Sequence, residues 1–217
     1  MFVTARKFAV PALIMLVAGG CAHTGDLDES GGVTAVRSAC PAVEIPAATG
    51  DITLFTPAGS HDANAIDVVA NMTNVRSTCY DAVTGDDIQT AITFDIQARR
   101  TRYEAARDVD FPYFISVVQG GTAVIAKRVG HVTLHFDAGR DRATVSGQAT
   151  SVVSRAAATL PDAVKAKLTE KRKAGQEDAA VDPLSRPEIR QAVLRATFEA
   201  LVGFQLTQDQ LKYNATR

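Results

Sequence analysis

Tryptophan is absent from this 217-residue chain, and cysteine and methionine each occur only three times. The missing tryptophan removes the buried ring that antibody-type domains pack around. Three cysteines without histidines at ligand spacing fit no zinc pattern. Neither sign of charge is in excess: 23 basic against 24 acidic residues leave a formal charge of −1. That excludes a generally basic nucleic-acid binder, and no nucleic-acid partner is expected. No internal apolar run approaches the ~20 residues needed to cross a bilayer. A hydrophobic fraction of 46% is too high for a largely disordered chain. The length suits one ordinary domain with extensions, or two small ones.

The first 20 residues read as a signal peptide. Arg6 and Lys7 form a short positive region, Phe8 to Ala18 an apolar stretch of 11 residues, and Ala18-Gly19-Gly20 a run of small residues ending at Cys21. The apolar stretch is too short for a transmembrane helix. An ordinary signal peptide would be cut after Gly20 or Ala22. The cysteine placed directly after the small residues is the sharper signal. Leu16-Val17-Ala18-Gly19-Gly20-Cys21 resembles the lipobox of bacterial lipoproteins, with Ala18 where that family most often has leucine. The resemblance implies that Cys21 carries a diacylglyceryl group, becomes the first residue after cleavage, and is acylated again. Two or more acyl chains anchor a protein stably where one is marginal. The membrane is thus the first expected partner, through the lipid anchor. Residues 21–39 then read as the acylated cysteine and a flexible tether. Its first part is Gly-rich and carries Asp26, Asp28 and Glu29, and a coil of this length spans roughly 25 Å. The acidic run argues against the tether lying on an anionic surface.

With Cys21 used for lipid, Cys40 and Cys79 remain. In an oxidising compartment two such cysteines favour a disulfide; two buried free thiols are the alternative. The bond would enclose 38 residues and stabilise by about 3–4 kcal/mol in the chain-entropy picture.

Residues 40–154 read as a β-domain. Ile66, Val68, Ala70 and Met72 alternate with Asp67, Asn71 and Thr73, and Ile88, Ile92, Phe94, Ile96 and Ala98 repeat the pattern after a polar loop. Tyr113, Ile115 and Val117 precede Gly120-Gly121, a two-residue hairpin turn that leads into a strand from Thr122 to Lys127. Val132, Leu134 and Phe136 alternate again, and 143–153 is a mostly polar strand. About seven short strands at this spacing predict an immunoglobulin- or fibronectin-like β-sandwich, an analogy of fold that carries no function.

Residues 155–217 read as a C-terminal helical segment, which makes the chain mainly β with helices at its end. One helix opens at Thr159-Leu160-Pro161-Asp162 and runs to Ala174, stopping at Gly175. Ser185-Arg186-Pro187-Glu188 looks like a capping box for a second helix. That helix would place Ile189, Val193, Ala196, Ala200 and Phe204 on one side, with Leu194, Phe198 and Leu201 widening the apolar face. A face this wide must bury, either on the sandwich or on an envelope protein partner, so Leu194, Phe198 and Leu201 are the candidate interaction residues. Thr207 to Gln210 repeats the capping signal.

Catalytic chemistry is hard to find. His131 and His135 alternate on one strand, about 13 Å apart, too far to share a metal ion. They read as solvated sheet-face residues. Asp86-Asp87 lacks further oxygen donors at regular spacing and reads as loop. No nucleophile elbow, P-loop, Cys-x-x-Cys or His-Glu-x-x-His is present. No catalytic residue, metal ligand or cofactor is therefore expected. Basic clusters remain at Arg99, Arg100 and Arg102, at Lys127-Arg128 and at Lys171-Arg172-Lys173. Arg100 and Arg102 share a strand parity and suggest an exposed basic stripe; solvated surface is the plain alternative.

The mature chain resembles uncharacterised alphaproteobacterial lipoproteins, in Asn74-Val75-Arg76-Ser77-Thr78-Cys79 and in the tail from Gly203 to Arg217. That resemblance implies localisation and no activity. The expectation is a lipid-anchored, periplasm-facing envelope protein acting as a binding or assembly component rather than an enzyme. An envelope enzyme with an unrecognised site is the alternative. Ala22 follows the cysteine where aspartate retains enterobacterial lipoproteins in the inner membrane, so the outer membrane is expected over the inner.

Overall fold

The structure, a computed structural model, describes residues 38–80, 85–170 and 181–216. It is mainly β, with two four-stranded sheets. The first sheet is ordered β1 (Ala42–Glu44), β8 (Phe198–Phe204), β5 (Arg107–Gln119), β6 (Ala123–Phe136). The second is ordered β2 (Asp51–Phe55), β3 (Ile66–Tyr80), β4 (Asp87–Arg100), β7 (Arg142–Ser154). The helices are α1 (Arg155–Ala158), α2 (Asp162–Leu168), α3 (Pro187–Arg195) and α4 (Gln208–Thr216). No helix among the described residues is long and apolar enough to cross a membrane.

Strict alternation builds the core. Along β4, Ile88, Thr90, Ile92, Phe94, Ile96, Ala98 and Arg100 are buried while the residues between them are half-buried or exposed. Ile92, Phe94 and Ile96 meet Phe111 and Ile115 of β5, Leu134 and Phe136 of β6, and Ala200, Val202 and Phe204 of β8 in one core drawn from both sheets. Each such side chain contributes roughly 1.5–3 kcal/mol on burial. Phe94 packs edge-on against Tyr113, ring centres 5.1 Å apart, and the Tyr113 hydroxyl donates to the Gln148 carbonyl at 2.8 Å across the sheets. Gly147 makes room for this pair, because a Cβ there would run into the Phe94 ring. A bulge interrupts β3 between Thr73 and Arg76. Asn74 occupies it at φ 52°, a conformation asparagine tolerates better than most residues.

The strands expected over 65–79, 88–98, 111–119 and 143–153 are present. The tail differs. Residues 155–217 are not a purely helical segment: the helix from Pro187 stops at Arg195, and residues 198–204 form β8 in the middle of the first sheet. There β8 runs parallel to β1 and antiparallel to β5. The reason is visible in the residues. Phe198, Ala200, Val202 and Phe204 alternate as well as they repeat at helical spacing, and β5 needs a partner on that side. The Ser185–Glu188 capping box does not form either. Arg186 holds the N-cap position without capping the helix through its side chain, Pro187 begins the helix, and the Ser185 hydroxyl donates to the Asp182 carbonyl instead. The box at α4 does form: the Thr207 amide donates to Gln210 Oε1 at 2.9 Å, and the Gln210 amide to Thr207 Oγ1 at 3.2 Å. The helix expected to open at Thr159-Leu160-Pro161-Asp162 and run to Ala174 is helical from Asp162 to Leu168; its expected end at Gly175 lies outside the described residues.

Candidate interaction surface at the β5–β6 hairpin

The two ends of the sheets are held differently, and the hairpin lies at one of them. Register lines Ala42, Glu199, Val118 and Val124 up across the first sheet, so the chain enters β1 at the end where β5 turns into β6. Cys40 and Cys79 are bonded here, with Cα atoms 6.0 Å apart, a separation that a disulfide spans. The bond packs against a small apolar cluster of Ile88, Val117, Val153, Ala158 and Phe198. The hairpin's turn is tied to the end of α3: Gln119 Nε2 donates to the Arg195 carbonyl at 2.6 Å, and the Gly120 amide to the Thr197 carbonyl at 2.9 Å. The Arg195 carbonyl belongs to the last turn of α3, where backbone acceptors need donors, and Thr197 lies just beyond it. Gly120 and Gly121 turn the chain at φ 62° and 76°. The turn takes three residues, Gly120 to Thr122, since Gln119 pairs with Ala123.

After that turn, β6 is bare. It is the last strand of its sheet, and every residue from 123 to 129 is exposed. Val124, Ile125 and Val129 are 63%, 51% and 53% exposed. Lys127 lies over the Phe114 ring at 5.0 Å, with Arg128 beside it. From Phe111 to Gly130 these two are the only charged residues. A long apolar edge strand is a template for association unless something covers it. This surface was missed in the sequence, although Ala123-Val124-Ile125-Ala126 carries a signal: four apolar residues in a row leave no polar face.

The expected site residues fall elsewhere. Cys21 and the Lys171–Lys173 cluster lie outside the described residues. The interaction face of Leu194, Phe198 and Leu201 does not exist as a face. Leu194 is exposed on α3, Phe198 is buried inward, and Leu201, of opposite strand parity, is half-buried.

The basic stripe is also corrected. Arg100 is 2% exposed, and its guanidinium donates to the carbonyls of Tyr103, Ala105, Asp137 and Arg140 at 2.7–3.2 Å while stacking over Phe136. Arg102 turns to Asp67 at 3.2 Å. Arg107 makes two parallel bonds to the same Asp67 carboxylate, at 2.8 and 3.0 Å, and so joins the two sheets. Burial presses the Asp67 carboxyl upward. The hydrogen bonds and charge of Arg107, with Arg102 and the Thr56 hydroxyl, outweigh that and hold it below its ordinary value of 3.8. On the second sheet, hydrogen bonds from Ser146 and Asn74 lower Asp95 as well.

His131 and His135 are exposed on the sheet, each joined to an aspartate of β5: His131 to Asp110 and His135 to Asp108, both at 2.6 Å. His61 stacks on Tyr213 beside Phe55, part of the contact that holds α4 against β2. Asp86 lines an open cleft of about 680 Å³ with Ser154, Arg155 and Leu160, and Arg155 Nε donates to the Gly85 carbonyl at 2.6 Å. Among the described residues, no three His, Cys, Asp or Glu side chains converge as metal ligands would.

No known protein family matches the chain, and no curated protein or solved structure matches it.

Proposed function

We propose that this protein is a lipid-anchored lipoprotein of the bacterial cell envelope, of the alphaproteobacterial kind, that acts as a binding or assembly component. The bare β6 edge carries this reading: a row of exposed valine and isoleucine beside two cations is a surface that needs an occupant. The anchor rests on Cys21 behind its small-residue run, and the disulfide supports an oxidising compartment. In this reading the domain faces the periplasm, held at the outer membrane in preference to the inner. The reading takes the domain as a binding module of the immunoglobulin- or fibronectin-like kind, supported by its two sheets with a core drawn from both. The likeness is one of layers, since the strand order differs from the ABED and CFG arrangement of those domains.

The test is Cys21→Ser in the bacterial host. Lipid labelling and membrane retention should both be lost. A variant that fractionates with membranes as the parent does would overturn the anchor.

A further inference from the structure

Resting on the reading just given, we propose that the β5–β6 hairpin seats the domain directly on an anionic lipid bilayer. Three observations converge on this. The hairpin combines exposed apolar side chains, Val124, Ile125 and Val129, with Lys127 and Arg128, and has no acidic residue between Phe111 and Gly130. Apolar area together with cations is the composition that binds an anionic interface. The register places this turn at the end of the sheet where the chain enters β1, so whatever anchors the N-terminal side anchors this end. Ser38 is seventeen positions after Cys21, a reach of at most roughly 60 Å, so an anchor at Cys21 leaves the hairpin free to touch the bilayer. Finally, the turn is tied through Gln119 and Gly120 to the end of α3, so the hairpin is already a formed element and loses little freedom on docking. A second copy fits less well. Edge-to-edge pairing would bring two Lys127–Arg128 pairs together.

The absence of tryptophan supplies the experiment. Val124→Trp places one indole on the hairpin, and Tyr103→Trp, in a second variant, places one in the β4–β5 loop at the opposite end. Each full-length chain is bound to vesicles of phosphatidylglycerol with phosphatidylcholine, or of phosphatidylcholine alone, with brominated acyl chains as quencher. The hairpin indole should shift to the blue and be quenched on the anionic vesicles only, and the loop indole on neither. Adding Lys127→Gln and Arg128→Gln should lower the ratio of seated to free hairpin roughly 25-fold, at about fivefold per basic residue. A hairpin indole that stays solvent-exposed on vesicle-bound protein overturns the bilayer as occupant. If it is instead buried without vesicles, as protein concentration rises or on adding envelope extract, the occupant is a protein and the binding reading survives. If it stays exposed under every condition, both readings fail.

Discussion

The two ends of the sheets solve the same problem with opposite chemistry. At the arginine end, strands and loops are joined by directed polar contacts: Arg100 gathers four loop carbonyls, and Arg107 crosses from one sheet to the other to hold Asp67. At the disulfide end the closure is covalent and apolar, and beyond it a hairpin stands exposed. The first end pairs most of its buried polar groups within the chain, Arg107 Nε being an exception. The second presents apolar surface that nothing among the described residues covers. Internal satisfaction thus separates the part of the molecule that maintains the fold from the part with contacts still to make.

Three measurements would break or sharpen this contrast. The largest effect belongs to Arg100→Met. It removes a buried cation and strands its carbonyl acceptors, and should cost about 3–5 kcal/mol in denaturant unfolding. A loss under ~1 kcal/mol would mean the arginine end is not held as described.

Next is the comparison of Phe198→Ala with Leu194→Ala. The buried ring should cost about 3–5 kcal/mol on truncation, the exposed leucine no more than about 0.5 kcal/mol. Equal losses would restore a shared apolar face.

The smallest effect is in the acid limb. Asp67 has a lower pKa folded than unfolded. The stability it confers is therefore complete above its ordinary 3.8 and is lost as pH falls from there through the folded value. Asp67→Asn should lower the melting temperature at neutral pH and flatten the part of its pH dependence below about 4. An unchanged acid limb would show that the Arg107 pair is not what lowers the carboxyl.

The strands were legible because one face of each is buried, which stamps period two on the residues. The disulfide was legible from the cysteine count. Arg100 was not, since a charged side chain is expected at the surface, yet it continues the inward series of Ile88 to Ala98 and its parity is the clue. β8 was misread because Phe198 to Phe204 satisfies two periods at once. The choice between them was made by a vacancy beside β5, a tertiary fact that no local pattern contains. The His–Asp pairs were hidden by one residue. The register shift between Val117 and Val118 moves Asp108 opposite His135, and counting back from the Gly-Gly turn alone misses it. The hairpin surface escaped notice for a simpler reason: apolar residues are assumed to be covered.

The placement of β8 also sets an order of events. β1 lies near the beginning of the described residues and, among them, finds its one neighbour in its sheet, β8, near the far end of the chain. A polypeptide emerging from its N-terminus completes the second sheet first, while β1 waits and β5 keeps one side open. The first sheet closes only when residues 198–204 arrive, the kind of long-range pairing that slows folding and leaves an unfinished edge open to wrong partners. The last strand to be made is thus the one that joins the earliest to the rest, and a chain ended before Phe198 would have two sheets begun and only one complete.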